Sequence, residues 1–361
     1  MLKKTPLYDQ HEQLGASIVD FAGWLMPLHY GSQLHEHHQV RHDAGVFDVS
    51  HMAVIDIKGN EASIFLRYLV ANDVQKIQPN QALYTCMLNE EGGIKDDLII
   101  YCLGDNDYRL VVNASTREKD HNWILDKSTP FDVVITLHDD LSILAIQGPQ
   151  AWEKVRTVFS AKQNETTQGL KPFHVVTCDK WVIAHTGYTG EAGMEVMLPQ
   201  SEVVDFWQRL IKADIKPVGL GARDSLRLEA GLNLYGQDMD ESTSPLESNL
   251  GWTIDFKDEH RDFIGKAALK KQLAQGLKQQ LQGVVLLDKG VCRSGMKVIS
   301  QTGEHGVLTS GGFSPTLSCG IGLARLSLGN AIQATIDIRG KKVSTKIIKP
   351  PFVKKGKANF L

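Results

Sequence analysis

The chain has 361 residues and a net charge of -3, from 39 lysines and arginines against 42 aspartates and glutamates. This length exceeds one ordinary hydrophobic core, so we expect two or three domains. The charges form no long single-sign block through most of the chain, which disfavours nucleic acid as the main partner, because phosphate binding needs a concentrated basic face. No run of 18 apolar residues predicts a membrane span, and no signal segment is recognised.

The number and spacing of the cysteines indicate the redox state of the chain. Five cysteines, an odd number, form no CxxC pair, so neither a disulfide framework nor a zinc knuckle is predicted. We therefore expect reduced thiols in a cytoplasmic protein.

Seven lysines near the C-terminal end form either a solvated face or a docking patch for an acidic partner, namely Lys341, Lys342, Lys346, Lys349, Lys354, Lys355 and Lys357.

A histidine-rich helix is predicted over residues 32–44 and is expected to end at Gly45 in the left-handed conformation. His38 and His42 lie four residues apart on one face, so a metal site has to be weighed against a polar helix face. The segment HEHHQ resembles the zinc-protease motif HExxH, but Gln39 replaces the second histidine. We favour the polar face and expect no metal.

The rest of the chain alternates strands and helices. Strands are predicted at 52–57, 82–88, 94–103, 108–113, 131–136, 141–147, 175–185 and 194–198. Helices are predicted at 61–69, from Pro149 as the first helical residue, after a Ser201 cap, at 222–230 and at 264–279. From 281 to 350, short strands alternate with glycine turns, which predicts an all-β module and an α+β chain as a whole.

Two aspartates open the strand predicted at 94–103. Asp96 and Asp97 point to opposite faces, and both faces are apolar beyond them, so alternation does not show which carboxylate meets a cavity. Tyr84 shares the surface of Asp97 if residues 90–93 form the hairpin loop and Asn89 faces Ile94. A three-residue loop with Asn89 outside the pairing puts them on opposite surfaces. A strand-start cap and a core aromatic are the structural alternatives.

Glu195 and Arg223 are further candidates. Glu195 lies on the face of its strand opposite the apolar residues, where it is either solvated or positioned to accept two parallel N–H donors. Arg223 lies at the start of the helix predicted at 222–230, where the positive helix end disfavours a cation by roughly 0.3 to 1 kcal/mol. We therefore expect Arg223 to have a carboxylate partner.

The segment GLGARDSLRLEAGLNLYGQDMDESTSPLESNLGW (219–252) resembles the aminomethyltransferase, or T-protein, family of the glycine cleavage system. Eight further segments match in the same order, so the likeness covers nearly the whole chain. They are VDFAGWLMPLHY (19–30), AGVFDVSHM (44–52), GGIKDDLIIY (92–101), IQGPQA (146–151), TGYTGEAGMEVML (186–198), DFIGKAAL (262–269), LTSGGFSPTL (308–317) and KPPFV (349–353).

The resemblance implies an α+β fold of three domains around a central cavity, with a C-terminal all-β barrel. The implied first domain combines residues 1–50 and 136–265, the second spans 51–135, and the barrel spans 280–361. The second Asp of GGxxDDL is the family's catalytic residue, which implies Asp97. The Glu of YTGExGxE holds the pterin, which implies Glu195. Residues implied around the folate cavity are Arg223, Tyr84, Tyr188, Asn113, Met52 and Trp252. Arg223 either contacts folate or keeps Glu195 oriented and charged.

The implied reaction passes a methylene group from the aminomethyl-lipoyl arm of H-protein to tetrahydrofolate. Ammonia is released, and the products are 5,10-methylene-tetrahydrofolate and dihydrolipoyl H-protein, with no metal required. Two alternatives share the superfamily: a non-catalytic folate-binding assembly protein and a folate-dependent demethylase. The assembly proteins carry KGCYxGQE where this chain has HRDFIGKA, so Asp262 stands in place of their cysteine. The C-terminal KKGKANF lacks a tyrosine found in some relatives, which leaves the role of Lys357 open.

Overall fold

The computed structural model describes residues 2–327 and 331–360. Contacts between residues divide the chain into two compact units. The first unit comprises Met1–Thr85, Asp96–Gly187 and Glu191–Arg223. The second unit comprises Cys86–Lys95, Tyr188–Gly190 and Asp224–Leu361.

The elements through residue 229 mix short helices and strands. The strands are β1 (Lys3–Lys4), β2 (Ser17–Phe21), β3 (Trp24–His29), β4 (Gly45–Asp48), β5 (Ala53–Lys58), β6 (Gln81–Leu88), β7 (Ile94–Gly104), β8 (Asp107–Val112), β9 (Val134–His138), β10 (Leu141–Gln147), β11 (Val175–Cys178), β12 (Trp181–Ala184), β13 (Gly193–Pro199) and β14 (Lys216–Pro217). The helices are α1 (Tyr8–Gln13), α2 (Gln33–His42), α3 (Ala62–Leu69), α4 (Arg117–Ser128), α5 (Ala151–Arg156), α6 (Ala161–Thr166), α7 (Gln200–Lys212) and α8 (Leu220–Glu229). Single 3-10 turns lie at Val74–Lys76 and Ala114–Thr116.

These strands form three sheets. Their orders are β1-β3-β2, β11-β12-β13-β10-β4-β14 and β6-β7-β8-β5-β9. In the six-stranded sheet, β10 pairs antiparallel with β13 and with β4, so that Ala145 lies opposite both Glu195 and Phe47. The apolar face of this sheet packs with helix α7, whose Phe206, Trp207 and Leu210 are almost completely buried. The apolar residues that recur with a 3.6-residue period in α7 therefore form part of the core of the first unit.

The second unit contains a closed antiparallel barrel. Its elements are α9 (Lys266–Gln275), β15 (Gln279–Leu286), β16 (Lys297–Ser300), β17 (His305–Ser314), β18 (Cys319–Ser327), β19 (Gln333–Ile338), β20 (Lys341–Ile348), β21 (Val353–Lys354), β22 (Lys357–Ala358) and a 3-10 turn at Gly251–Thr253. The ring order is β15-β18-β17-β16-β19-β20. Alternate side chains fill its interior, among them Val284, Leu326 and Ile336. The predicted all-β module is therefore confirmed.

Several predicted helix ends are wrong. Ser32 does cap α2, its Oγ accepting the His35 N–H at 3.3 Å, but the helix ends at His42 and Gly45 begins β4. A side chain at Gly45 would place its Cβ 2.4 Å from Val218, so close packing rather than a left-handed cap requires glycine there. Helix α5 begins at Ala151 with Gln150 as its N-cap, so Pro149 precedes the helix and does not occupy its first position.

The remaining boundary corrections have local causes. The predicted Ser201 cap of α7 is wrong, because Pro199 is the N-cap, the helix begins at Gln200 and Ser201 lies in its first turn. The strand predicted at 175–185 is a hairpin, because Asp179 adopts a φ of 55° and reverses the chain. Helix α9 ends at Gln275, since Gly276 has a φ of 79° and cannot continue an α-helix.

A buried ion-pair network stabilises the second unit. Arg227 on α8 is 2% exposed, and its guanidinium donates to Asp238 and Asp224 at 2.8 Å each and to Ser310 at 2.9 Å. Replacing Arg227 with methionine leaves the fully buried Asp238 without its cation. We expect a loss of about 3–5 kcal/mol, the usual consequence of breaking a buried pair.

The urea midpoint of the unfolding transition that reports on the barrel measures this loss. Arg293→Met, at an exposed position of the same unit, is the matched control. A midpoint for Arg227→Met equal to that of the control contradicts the stabilising role.

Candidate functional site

Strand β7 separates its two aspartates by burial. Asp96, Leu98 and Ile100 are buried, whereas Asp97 and Ile99 on the other face are half-buried. Tyr84 on β6 donates its hydroxyl hydrogen to Asp97 Oδ2 at 2.7 Å. Tyr84 and Asp97 therefore share the more open surface of the sheet, as the first of the two hairpin alternatives predicts.

The turn that joins these strands differs from the predicted one. The Asn89 N–H donates to the Gly93 carbonyl at 2.9 Å, so the closing hydrogen bond encloses three residues rather than four. The predicted pairing of Asn89 with Ile94 is wrong, because the Ile94 N–H donates instead to the carbonyls of Asp240 and Thr243 at 3.1 and 3.0 Å. The prediction that Tyr84 and Asp97 share a surface is thus correct, although the predicted turn is wrong.

Asn113 holds both aspartates with one side-chain amide. Its Nδ2 donates to Asp96 Oδ1 at 2.8 Å and to Asp97 Oδ1 at 3.1 Å, and its backbone N–H donates to Asp96 Oδ2 at 3.0 Å. An amide nitrogen has two hydrogens, so it can bond two carboxylates at once. Tyr84 and Asn113 therefore fix one oxygen of Asp97 each.

The electrostatic surroundings make Asp97 a proton acceptor near neutrality. Burial and, next, the negative charge of Asp96 raise its pKa to about 7, although the hydrogen bonds from Tyr84 and Asn113 act in the opposite direction. A carboxyl group with a pKa near the working pH is suited to general acid–base catalysis.

Glu195 on β13 is held by two hydroxyl groups. Thr186 Oγ1 donates to its Oε2 at 2.6 Å, and the Tyr101 hydroxyl donates to the same oxygen at 3.4 Å. Among the described residues, no donor bonds Oε1. Burial raises the pKa of Glu195, while the hydrogen bond from Thr186 and the positive charge of Arg223 oppose this rise. One oxygen of this carboxyl group thus accepts no hydrogen bond from the described residues.

Tyr101 relates Glu195 to Asp97. Tyr101 and Asp97 lie four residues apart on the same face of β7, which corresponds to about 13 Å along a strand. Since the Tyr101 hydroxyl contacts Glu195, both predicted carboxylates belong to this side of the five-stranded sheet. Neither Tyr101 nor Thr186 was singled out from the sequence as a site residue, because hydroxyl donors carry no spacing pattern of their own.

Arg223 acts on a second group that the sequence analysis missed. His51 is 2% exposed, and its Nδ1 is buried without a hydrogen-bond partner in the described structure. Burial and then the charge of Arg223 lower the pKa of His51 to about 4, so the ring is neutral. The motif AGVFDVSHM contains His51, but the residue gave no signal beyond its place in that motif.

The other predicted site residues are less closely connected. Met52 follows His51 in the first unit and is half-buried, with its backbone N–H bonded to the Val49 carbonyl at 3.1 Å. Tyr188 and Trp252 belong to the second unit. The Tyr188 hydroxyl donates to the Asn233 carbonyl, and Trp252 is 65% exposed. Their placement at a folate site stays a prediction.

The histidine helix shows ring contacts among its side chains. The His38 and His42 rings stack with their centroids 5.7 Å apart, and His37 meets His38 edge to face. Across residues 2–327 and 331–360, no three His, Cys, Asp or Glu residues converge as metal ligands would. In the same residues, every helix is too short or too polar to span a bilayer.

Two family models match consecutive parts of the chain. Residues 7–258 match the model of the GCVT N-terminal domain, and residues 279–354 match that of the glycine cleavage T-protein C-terminal barrel domain.

The comparison with solved structures includes a strong match. The glycine cleavage system aminomethyltransferase T from Bartonella henselae is 33% identical over 98% of this chain and 99% of that chain, with a TM-score of 0.92. The heterotetrameric sarcosine oxidase from Corynebacterium sp. U-96, solved in complex with pyrrole 2-carboxylate, is 12% identical over 59% of this chain and 95% of that chain. Its TM-score of 0.40 is too low to support an argument.

Proposed function

The chain belongs to the aminomethyltransferase (T-protein) family of the glycine cleavage system, and we propose that its one-carbon acceptor is tetrahydrofolate and its donor the aminomethyl-lipoyl arm of H-protein. The observation that carries this proposal is the Asp97 carboxyl group, fixed by Tyr84 and Asn113 and titrating near pH 7. The products are 5,10-methylene-tetrahydrofolate, ammonia and dihydrolipoyl H-protein.

The reaction needs a carboxylate close to the folate nitrogen that attacks. The bond between the aminomethyl carbon and the lipoyl sulfur breaks, the sulfur leaves as a thiolate that takes up a proton, and the amine leaves as ammonia. The carbon forms new bonds to N5 and N10 of tetrahydrofolate, which each lose a proton. We assign Asp97 to stabilise the positive charge that develops near N5 and to accept its proton. A half-buried position limits the competing attack by water.

Glu195 is proposed to bind the pterin ring. The pyrimidine edge of a pterin carries two parallel N–H donors, which a carboxylate accepts as a pair. Glu195 can offer Oε1 to one of these donors because the described donors engage only Oε2, and the nearby Arg223 favours the ionised form. Binding and chemistry are thus given to different carboxylates on one side of the sheet.

The direct test combines the purified chain, aminomethyl-loaded H-protein and tetrahydrofolate, with ammonia release as the measurement. We expect release to require all three components and to stop when H-protein lacks its lipoyl group. Release that proceeds equally without tetrahydrofolate, or no release from the complete mixture, overturns the proposal.

We expect kcat/KM to fall on the acid side of its pH profile, and the pKa of Asp97 should set the position of this acid limb. Asp97 must be ionised to accept a proton, so the rate falls as the pH drops through about 7. Asp96→Asn removes the like charge that raises the Asp97 pKa and keeps the shape of the side chain. We therefore expect the limb to move to lower pH, by about one unit.

A pH series on Asp96→Asn and on Asp105→Asn, an exposed position in the following turn, checks this expectation. If both variants keep the wild-type limb, the charge of Asp96 does not tune the reaction.

A further inference from the structure

Asp120 is a fully buried acidic residue on helix α4 that the proposed mechanism does not use. Its exposed fraction is 0%, and neither carboxyl oxygen has an N–H partner among the described residues. An isolated buried carboxylate is strongly disfavoured because it loses its hydration without compensation. A neutral carboxylic acid at this position avoids most of that penalty.

The neighbour of Asp120 is Asp96, and the two carboxyl groups lie close enough to hydrogen-bond to each other. Such a bond requires that one of them carries a proton, since two carboxylates offer only acceptors. The other charged group that acts on Asp120 is Lys119 on the same helix, and the Thr116 hydroxyl lies beside the pair. The pair therefore shares one proton.

The hydrogen bonds decide which partner is charged. Asp96 accepts from the Asn113 N–H at 3.0 Å, from Asn113 Nδ2 at 2.8 Å and from Thr116 Oγ1 at 3.0 Å. Donors of this kind stabilise a carboxylate. Burial raises the pKa of both groups, but three donor contacts oppose the rise at Asp96, whereas at Asp120 only the Thr116 hydroxyl donates and the pKa rises to about 10. The proton accordingly resides on Asp120 and the negative charge on Asp96.

This charge lies directly behind the reacting group. Asp96 precedes Asp97 in β7, and the side-chain amide of Asn113 touches both carboxyl groups. We infer that Asp120 is a positioning residue of the reaction: it donates its proton to Asp96 and so keeps Asp96 as the anion that makes Asp97 a better base. This inference rests on the role proposed for Asp97, although the protonation of Asp120 itself does not.

Two substitutions at Asp120 test the positioning role. Asp120→Asn retains an N–H that can donate to Asp96, so the acid limb of kcat/KM stays within a few tenths of a unit of the wild type. Asp120→Ala removes the donor, Asp96 takes up a proton, and the limb moves to lower pH by about one unit, the effect of losing a neighbouring charge.

A merely structural role would lower the thermal midpoint of these variants without moving the limb. The inference is therefore overturned if Asp120→Ala keeps the wild-type limb, or if Asp120→Asn shifts it as far as Asp120→Ala does.

Infrared spectroscopy of the protein without substrates tests the proton itself. At about pH 9, Asp97 is ionised and Asp120 is still protonated, so the wild type should show the carbonyl stretching band of a carboxylic acid. Asp120→Asn should lose this band, and Asp126→Asn, at an exposed position of the same helix, should keep it. A band that is absent from the wild type, or that persists in Asp120→Asn, overturns the inference.

These readouts separate two kinds of failure. No aminomethyltransferase activity in the wild type counts against the proposed substrates. A wrong infrared result counts against the proton on Asp120 whatever the reaction is.

Discussion

Asp97→Asn is expected to lose about 10²- to 10⁴-fold in kcat, the usual contribution of a general acid–base group. The substitution keeps the shape of the side chain and a hydrogen-bond acceptor for Tyr84, whose hydroxyl lies 2.7 Å from Asp97 Oδ2. It removes the negative charge and the basic oxygen proposed to act on the folate nitrogen. Affinity for tetrahydrofolate should stay close to that of the wild type, because Glu195 is unchanged.

Single-turnover ammonia release and calorimetric titration with tetrahydrofolate measure these two quantities separately. Asp105→Asn, exposed beyond the end of the same strand, should leave both unchanged. An Asp97→Asn enzyme that turns over at more than a tenth of the wild-type rate contradicts general base catalysis by Asp97.

Glu195→Ala is expected to weaken tetrahydrofolate binding itself. A hydrogen bond to a charged group contributes about 1.5–3 kcal/mol, so the Kd should rise by roughly ten- to hundredfold for each pterin N–H that loses its acceptor. Removal of the side chain also leaves the Thr186 hydroxyl, now bonded to Oε2 at 2.6 Å, without that partner. The chemical step at saturating folate should suffer less than in Asp97→Asn.

Calorimetry with tetrahydrofolate is the measurement, and Glu153→Ala, exposed on α5 in the first unit, is the matched control. Equal affinities for wild type and Glu195→Ala would remove Glu195 from the pterin site. A large loss of kcat with unchanged affinity would instead exchange the roles given to the two carboxylates.

The fold was predictable wherever an apolar period is strong. Strand β7 and the barrel follow from the alternation of side chains, and α7 follows from its helical repeat. Helix α4 was missed for a physical reason: its only buried residues are Asp120 and Ile124, so its sequence shows no apolar stripe. Asp120 thus lies on a helix whose sequence pattern gives little sign of it.

The candidate site was likewise predictable from the sequence only in part. Strand alternation reduced the choice to Asp96 or Asp97, and the family resemblance selected Asp97 because spacing alone could not. The hydrogen bonds of Asn113, the hydroxyl pair on Glu195 and the neutral His51 depend on contacts between residues that are distant in sequence. At the hairpin turn between β6 and β7, the predicted loop length was wrong, whereas the predicted surface shared by Tyr84 and Asp97 was right.

The closed ring of six strands limits how the barrel can meet another molecule. In the described residues, each of its six strands pairs with a neighbour on both sides, so the ring has no edge strand to which an extended peptide could add. Any macromolecule that recognises the barrel must therefore do so through side chains and loops rather than by adding a strand.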